Sequence, residues 1–152
     1  MQLNIKLAVI AAAVALAACG KKEEAAPAAA PAAAPAPAAQ VIKIGHVGPT
    51  SGAIAHLGKD NENGAKMAIE ELNAAGLTIG GAPVKFELLA EDDAADPKQG
   101  TAAATKLVDA KVAGVIGHLN SGTTIPASQI YNDAGIPQIS PSATNPKYTR
   151  QG

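Results

Sequence analysis

The sequence predicts an α/β fold, a parallel sheet flanked by helices, and three observations predict it. From residue 41 onward, short apolar runs alternate with amphipathic stretches three times over, the pattern of βαβ units with right-handed crossovers. The amphipathic stretches are punctuated by helix signals, Asp96-Pro97 at one start and Gly76 and Gly135 at two ends. Aromatic residues are scarce, with one Phe, two Tyr and no Trp. The core therefore has to be built from Ala, Val, Ile and Leu, which suits close packing of helices on a sheet.

The first forty residues stand apart from this pattern. Met1 to Lys6 is short and weakly basic, and Leu7 to Ala17 is apolar without interruption. That run is shorter than the roughly 20 residues needed to span a bilayer and fits the apolar region of an export signal over residues 1–18. It ends in Leu16-Ala17-Ala18-Cys19, which resembles a bacterial lipobox, so Cys19 is the expected site of lipidation. Gly20 follows the cysteine where an Asp would signal retention, so in a Gram-negative cell the outer membrane is favoured. Cys19 is the single cysteine of the chain, which excludes an intramolecular disulfide despite the export signal. Residues 19–40 read as a tether: a charged start is followed by Ala25 to Ala39, almost pure Ala and Pro. Recurrent Pro prevents a continuous helix and leaves a semi-extended spacer. The folded part is 41–152.

Val41 to Val47 reads as the first strand, running into the turn-rich loop Gly48 to Gly52. Asp60 to Ala75 reads as a helix, with Ala65, Ala68, Ile69, Leu72 and Ala75 at helical spacing and Glu62, Lys66 and Glu70 as i,i+4 partners. Leu77 to Pro83 is turn-like, and Val84 to Ala90 is the second strand. Asp96-Pro97-Lys98-Gln99 starts a helix to Lys111, with Asp96 as cap, Pro97 at the first position and Gln99 completing a capping box. Ala103, Leu107 and Ala110 form its apolar stripe, flanked by Ala104 and Val108. Ala113 to Gly117 is the third strand. The loop His118 to Thr123 leads to a helix around Pro126 to Ala134 with Ala127, Ile130, Tyr131 and Ala134 on one face. Ile136 to Ile139 is a short fourth strand. Ligands of such sheets bind at the carboxyl ends of the strands, which directs attention to loops 48–58, 91–96, 118–123 and 140–146.

Several functions are excluded by the residues. A formal charge of −1 and the lack of a basic helix face leave no footprint for nucleic acid. Gly45, Gly48 and Gly52 do not have dinucleotide spacing. The stretch Gly52 to Asp60 has one residue too many for a phosphate loop and an Asp where a magnesium-binding hydroxyl belongs. Ser51, Ser121 and Ser142 lie outside any Gly-x-Ser-x-Gly elbow. His46, His56 and His118 are scattered without metal-ligand spacing and read as a strand-core residue, a loop residue and a strand-end residue. Asp92, Asp93 and Asp96 lack an EF-hand pattern and read as turn and cap residues. No catalytic residue, metal or cofactor is expected. The constellation that remains is Ser121, Ser142 and Thr144, all just beyond strand ends. Ser121-Gly122 precedes a helix, so its hydroxyl and N–H groups are able to address an anion. The same residues equally fit plain turn and cap roles.

From Ile42 to Gly152 the chain resembles the N-terminal lobe of the periplasmic leucine/isoleucine/valine-binding proteins that feed ABC importers. The stretches that carry the resemblance are Ile42-Lys43-Ile44, Ser51-Gly52, Asp92-Asp93-Ala94, Asp96-Pro97-Lys98-Gln99, Val115-Ile116-Gly117-His118-Leu119, Pro126-Ala127-Ser128, Ile130-Tyr131, and Pro141 with Ala143-Thr144. The resemblance implies a periplasmic-binding-protein-like type I fold, here a partial N-terminal lobe. It also implies a periplasmic protein, anchored here by the lipid expected on Cys19, that captures an aliphatic amino acid and delivers it to an ABC permease. Ser121 and Thr144 fall where the family binds the ligand's α-carboxylate and α-amino ends, and Ser142 where a backbone carbonyl accepts from the ammonium. Leu57 replaces an aromatic residue that packs on the ligand side chain. A relative tuned to amides, urea or another small organic acid, or a sensory domain, is the alternative.

Two departures from the family matter. The family joins the loops after the second and third strands by a disulfide, where this chain has Ala95 and Asn120; the binding loop is expected to carry one constraint fewer. The family's acidic partner for the ligand ammonium and its further aromatic residues lie in a part of the fold beyond Gly152. An exposed sheet edge and weak or no binding of amino acids by residues 41–152 alone are the expectation.

Overall fold

The computed structural model describes residues 37–151. The expected export signal, Cys19 and most of the tether lie outside the described residues.

Strand β1 (Gln40–Gly48) lies centrally in a five-stranded sheet of order β2-β3-β1-β4-β5. It pairs in parallel with β3 (Ala82–Asp92) along its whole length and with β4 (Gly114–Gly117) at its carboxyl half. Strand β5 (Gln138–Ile139) adds in parallel to β4. The order follows from the alternation: the chain steps to one side of β1 for β3, then crosses back past it for β4 and β5. This reversal creates a switch point between the carboxyl ends of β1 and β4.

One element differs in kind from its expectation. Within the stretch read as turn-like, β2 (Thr78–Ile79) pairs antiparallel with the start of β3 through a turn at Gly80-Gly81, both at positive φ. Two residues are too few to show a period-two pattern, so the hairpin was hidden behind its own turn.

Helix α1 spans Ala55–Ala74, starting five residues before Asp60, directly after a turn at Gly52. Ala65 and Ile69 of the expected stripe are buried, Leu72 is half-exposed, and Glu62 pairs with Lys66 one turn on. Helix α2 spans Pro97–Asp109, capped by Asp96, whose carboxylate accepts from the Lys98 and Gln99 N–H groups at 2.9 Å each. The returning half of the capping box is replaced: the Asp96 N–H donates to the Asp93 carbonyl at 2.8 Å. Helix α3 spans Ser121–Asp133 and begins five residues before Pro126. Its first turn closes on Asn120, whose carbonyl accepts from the N–H and the hydroxyl of both Thr123 and Thr124. Pro126 sits inside the helix, removing one ladder donor. Gly135 follows it in the left-handed conformation, φ +68°, open to a residue without Cβ.

The sheet faces are covered unequally. Helices α2 and α3 bury one face, with Val47 and Val115 packed under Ala103, Ala104, Leu107, Ala127 and Tyr131. Ile44 and Phe86 meet α1 on the other face, but beyond β4 that face is open, and Ile139 is 72% exposed at the β5 edge. Among the described residues no helix is long and apolar enough to cross a membrane.

Candidate functional site

The loops at the carboxyl ends of the strands are organised by side chains that hold backbone. Asp92, the last residue of β3, accepts through Oδ1 from the N–H groups of Thr50 (2.8 Å), Ser51 (3.4 Å) and Ala94 (2.8 Å). It therefore ties the loop after β1 to the loop after β3. Burial opposes its ionisation, but these bonds and one with the Ser51 hydroxyl overcome that, and its pKa lies below the ordinary carboxylate value. Ala94 and Ala95 adopt positive φ, 45° and 58°, an arrangement disfavoured for residues with a Cβ. The carboxylates of Asp92 and Asp93 hold their N–H groups in that shape.

Two of the residues singled out from sequence make hydrogen bonds between segments. Ser121 is the first residue of α3, so its N–H and that of Gly122 precede the first intrahelical bond. Its Oγ accepts from the Asn145 N–H at 3.2 Å, joining the start of α3 to the loop that carries Thr144. Ser142 Oγ accepts from Asn61 Nδ2 at 3.2 Å, which brings that loop to α1. Leu57 lies one helical turn before Asn61 and is 43% exposed. Thr144 is exposed next to Asn145. Ser121 and Ser142 are thus tied to Asn145 and Asn61, chain neighbours of Thr144 and Leu57 that sequence reasoning did not name. A cleft of about 490 Å³ between α3, β5 and residues 148–151 includes none of Ser121, Ser142, Thr144 and Leu57.

The histidines separate. His46 is a buried strand residue, as its position in β1 led one to expect. His56 lies in α1 and not in a loop, because the helix starts before it. His118 does more than end a strand. Its ring is fully buried, with Nδ1 3.0 Å from Asp93 Oδ2 and Nε2 3.2 Å from the Tyr131 hydroxyl. This contact ties the loops after β3 and β4 two residues before Ala95 and Asn120. Asp93 is ionised in this setting: burial opposes the charge, but the bonds from His118, the Ala95 N–H and Thr123 lower its pKa below the usual value. Among the described residues no group of three His, Cys, Asp or Glu side chains could hold a metal ion.

A doubly wound lobe with polar loops gathered at its switch point is the architecture of ligand-binding α/β proteins. Residues 41–152 match the family model described as periplasmic binding protein, and the chain belongs to that family. It is 48% identical over 114 residues to the leucine-specific-binding protein of Salmonella typhimurium, covering 75% of this chain and 30% of that protein. It is 45% identical over 115 residues to a leucine-, isoleucine-, valine-, threonine- and alanine-binding protein of Pseudomonas aeruginosa, covering 76% and 30%. Among solved structures it is similar to a branched-chain amino acid transporter substrate binding protein from Streptococcus pneumoniae in complex with isoleucine. There the TM-score is 0.67 at 37% identity, covering 73% of this chain and 31% of that one. A solute binding protein from Rhodopseudomonas palustris in complex with 3,4-dihydroxybenzoic acid is more distant, at 28% identity and TM-score 0.63, covering 72% and 29%. The chain spans about 30% of the length of these curated relatives.

Proposed function

We propose that this chain supplies the carboxylate-facing half-site of an extracytoplasmic solute-binding protein that captures a branched-chain or other aliphatic amino acid for an ABC permease. The observation that carries the reading is the junction of Ser121 and Asn145. It sets the first N–H groups of α3 and the Ser121 hydroxyl beside the Thr144 loop, at adjacent strand ends. Helix N-termini favour carboxylates because their N–H groups are unpaired and carry partial positive charge. In this reading Ser121 and Thr144 bind the α-carboxylate and α-amino ends, the backbone at Ser142 accepts from the ammonium, and Leu57 forms part of an aliphatic wall. The neighbours that bind leucine and isoleucine support the ligand class.

The reading extends to the N-terminal part. Cys19 is the lipid attachment point and residues 20–40 are the spacer that holds the lobe off the membrane, in the outer membrane if the cell is Gram-negative. Capture and delivery require no chemical step, so no side chain is assigned a catalytic role.

A ligand panel tests the class. Saturation-transfer spectra of the chain at millimolar ligand should show contact with leucine, isoleucine and valine, and none with urea or 3,4-dihydroxybenzoate. The reverse pattern replaces the amino acid by the alternative ligand. Mass spectrometry of the protein expressed in a bacterium with its N-terminus intact should show cleavage before Cys19 and a diacylglyceryl mass; an unmodified cysteine removes the anchor.

A further inference from the structure

Behind the half-site, three side chains from separate segments form one buried polar row. Asp93 follows β3, His118 follows β4, Tyr131 lies in α3, and all three are 0% exposed. Such groups are stable in an interior only when each polar atom finds a partner. Here the partners are one another, with Asp93 Oδ2 3.0 Å from His118 Nδ1 and the Tyr131 hydroxyl 3.2 Å from His118 Nε2. The ionised carboxylate only accepts, so Nδ1 carries a proton and donates it. In the neutral tautomer Nε2 then accepts from the phenol. Burial, then the charges of Asp93 and Glu91, push the Tyr131 pKa up and keep that proton in place.

The backbone of the same histidine is where both hydroxyl loops attach. Its carbonyl accepts from Thr124 Oγ1 at 3.1 Å and from Ser140 Oγ at 2.5 Å. Ser140 Oγ in turn accepts from the Ala143 N–H at 2.9 Å, shaping the turn that leads into Thr144. Thr124 Oγ1 also reaches the Asn120 carbonyl at 2.7 Å, just ahead of Ser121. A shift of the imidazole would move one carbonyl and, with it, the anchors of two loops separated by about twenty residues of sequence.

We propose that His118 is the positioning residue of the half-site: clamped between Asp93 and Tyr131, it fixes the carbonyl from which the Ser121 and Thr144 loops both hang, so the two loops order together. The inference concerns the half-site of the proposed function, yet its readout needs no ligand, so the two fail separately. His118 touches neither loop's outward-facing hydroxyls and acts only through the backbone it orients.

Amide hydrogen exchange on the full chain tests it. His118→Leu keeps the volume and removes the hydrogen bonds. His118→Asn keeps a donor toward Asp93. Leu107→Ala, in the core away from the loops, calibrates the effect of lost global stability. At matched global stability, His118→Leu should lose about tenfold or more protection in both 120–124 and 140–145, the size set by losing a hydrogen bond to a charged group. His118→Asn should restore most of it in both segments. Tyr131→Phe, which deletes only a hydroxyl, should show a smaller loss in the same two segments and keeps the test open if His118→Leu does not fold. Protection retained in His118→Leu, a loss confined to one segment, or no recovery in His118→Asn overturns the proposal. If His118→Leu does not fold, unchanged protection in Tyr131→Phe overturns it.

Discussion

Gly58→Ala is the sharpest perturbation of the frame that holds Leu57 and the first loop. Gly58 is buried in the first turn of α1, against the backbone of Pro49. A Cβ there would stand 2.1 Å from the Pro49 carbonyl oxygen and 2.5 Å from its carbon, where ordinary contact begins at 3.4 Å. Backbone atoms have no rotamer to turn away, so either α1 or the loop after β1 must withdraw. Alanine would normally favour a helix over glycine by up to about 1 kcal/mol, so the sign of the change separates the two effects. Overpacking costs about 1–3 kcal/mol, and the backbone partner puts this site at the upper end. A net loss of about 2 kcal/mol lowers Tm by roughly 8 °C or more for a domain of this size. Urea and thermal melts followed by circular dichroism measure it. An alanine variant as stable as the wild type, or more so, would refute the close approach of α1 to Pro49.

Three further outcomes follow from named contacts. Asp96→Ala removes the acceptor for the Lys98 and Gln99 N–H groups and should cost about 1 kcal/mol in urea unfolding; no change would deny the cap. Because the folded pKa of Asp92 is depressed, its contribution is fully present above the unfolded value of about 3.9 and is lost as pH falls through the lower folded value. Asp92→Asn should therefore flatten the stability-against-pH curve below about pH 4, measured by urea midpoints, and an unchanged slope would contradict the assignment. Ser121→Ala removes the acceptor for the Asn145 N–H. It should abolish the leucine signal in saturation-transfer spectra while lowering stability by only about 1 kcal/mol; a leucine signal equal to that of the wild type would count against Ser121 as a ligand group.

Much of the fold was legible because the signals were local. Apolar runs placed β1, β3 and β4 within about two residues of their observed ends, and Asp96-Pro97 marked the start of α2 in the residues themselves. The starts of α1 and α3 were less legible because neither N-cap, Ile54 or Asn120, makes a side-chain capping bond. In α3 the N–H groups of Thr123 and Thr124 donate to the Asn120 carbonyl alongside their hydroxyls, and Pro126, which reads as a first-position proline, lies inside the helix five residues after its start. Of the candidate site, the sequence marks Ser121, Ser142 and Thr144 as polar residues just past strand ends, where topology directs ligands. Asn61 and Asn145 were missed because exposed asparagines on a helix and in a loop carry no pattern. The Asp93–His118–Tyr131 row joins segments that only the sheet order brings together, so spacing along the chain does not reveal it. A polar residue just past the end of each of two strands, Asp93 and His118, was the available sign.

The most direct test of the central claim maps where leucine meets the chain and by which end. In 15N-correlated spectra of the chain titrated to millimolar ligand, L-leucine should shift the amides of Ser121, Gly122 and Thr144. L-leucinamide, which keeps the side chain and the amine but lacks the carboxylate, should leave them unmoved. Equal shifts with both ligands, or leucine shifts confined to the cleft between α3 and β5, would contradict a carboxylate-facing half-site.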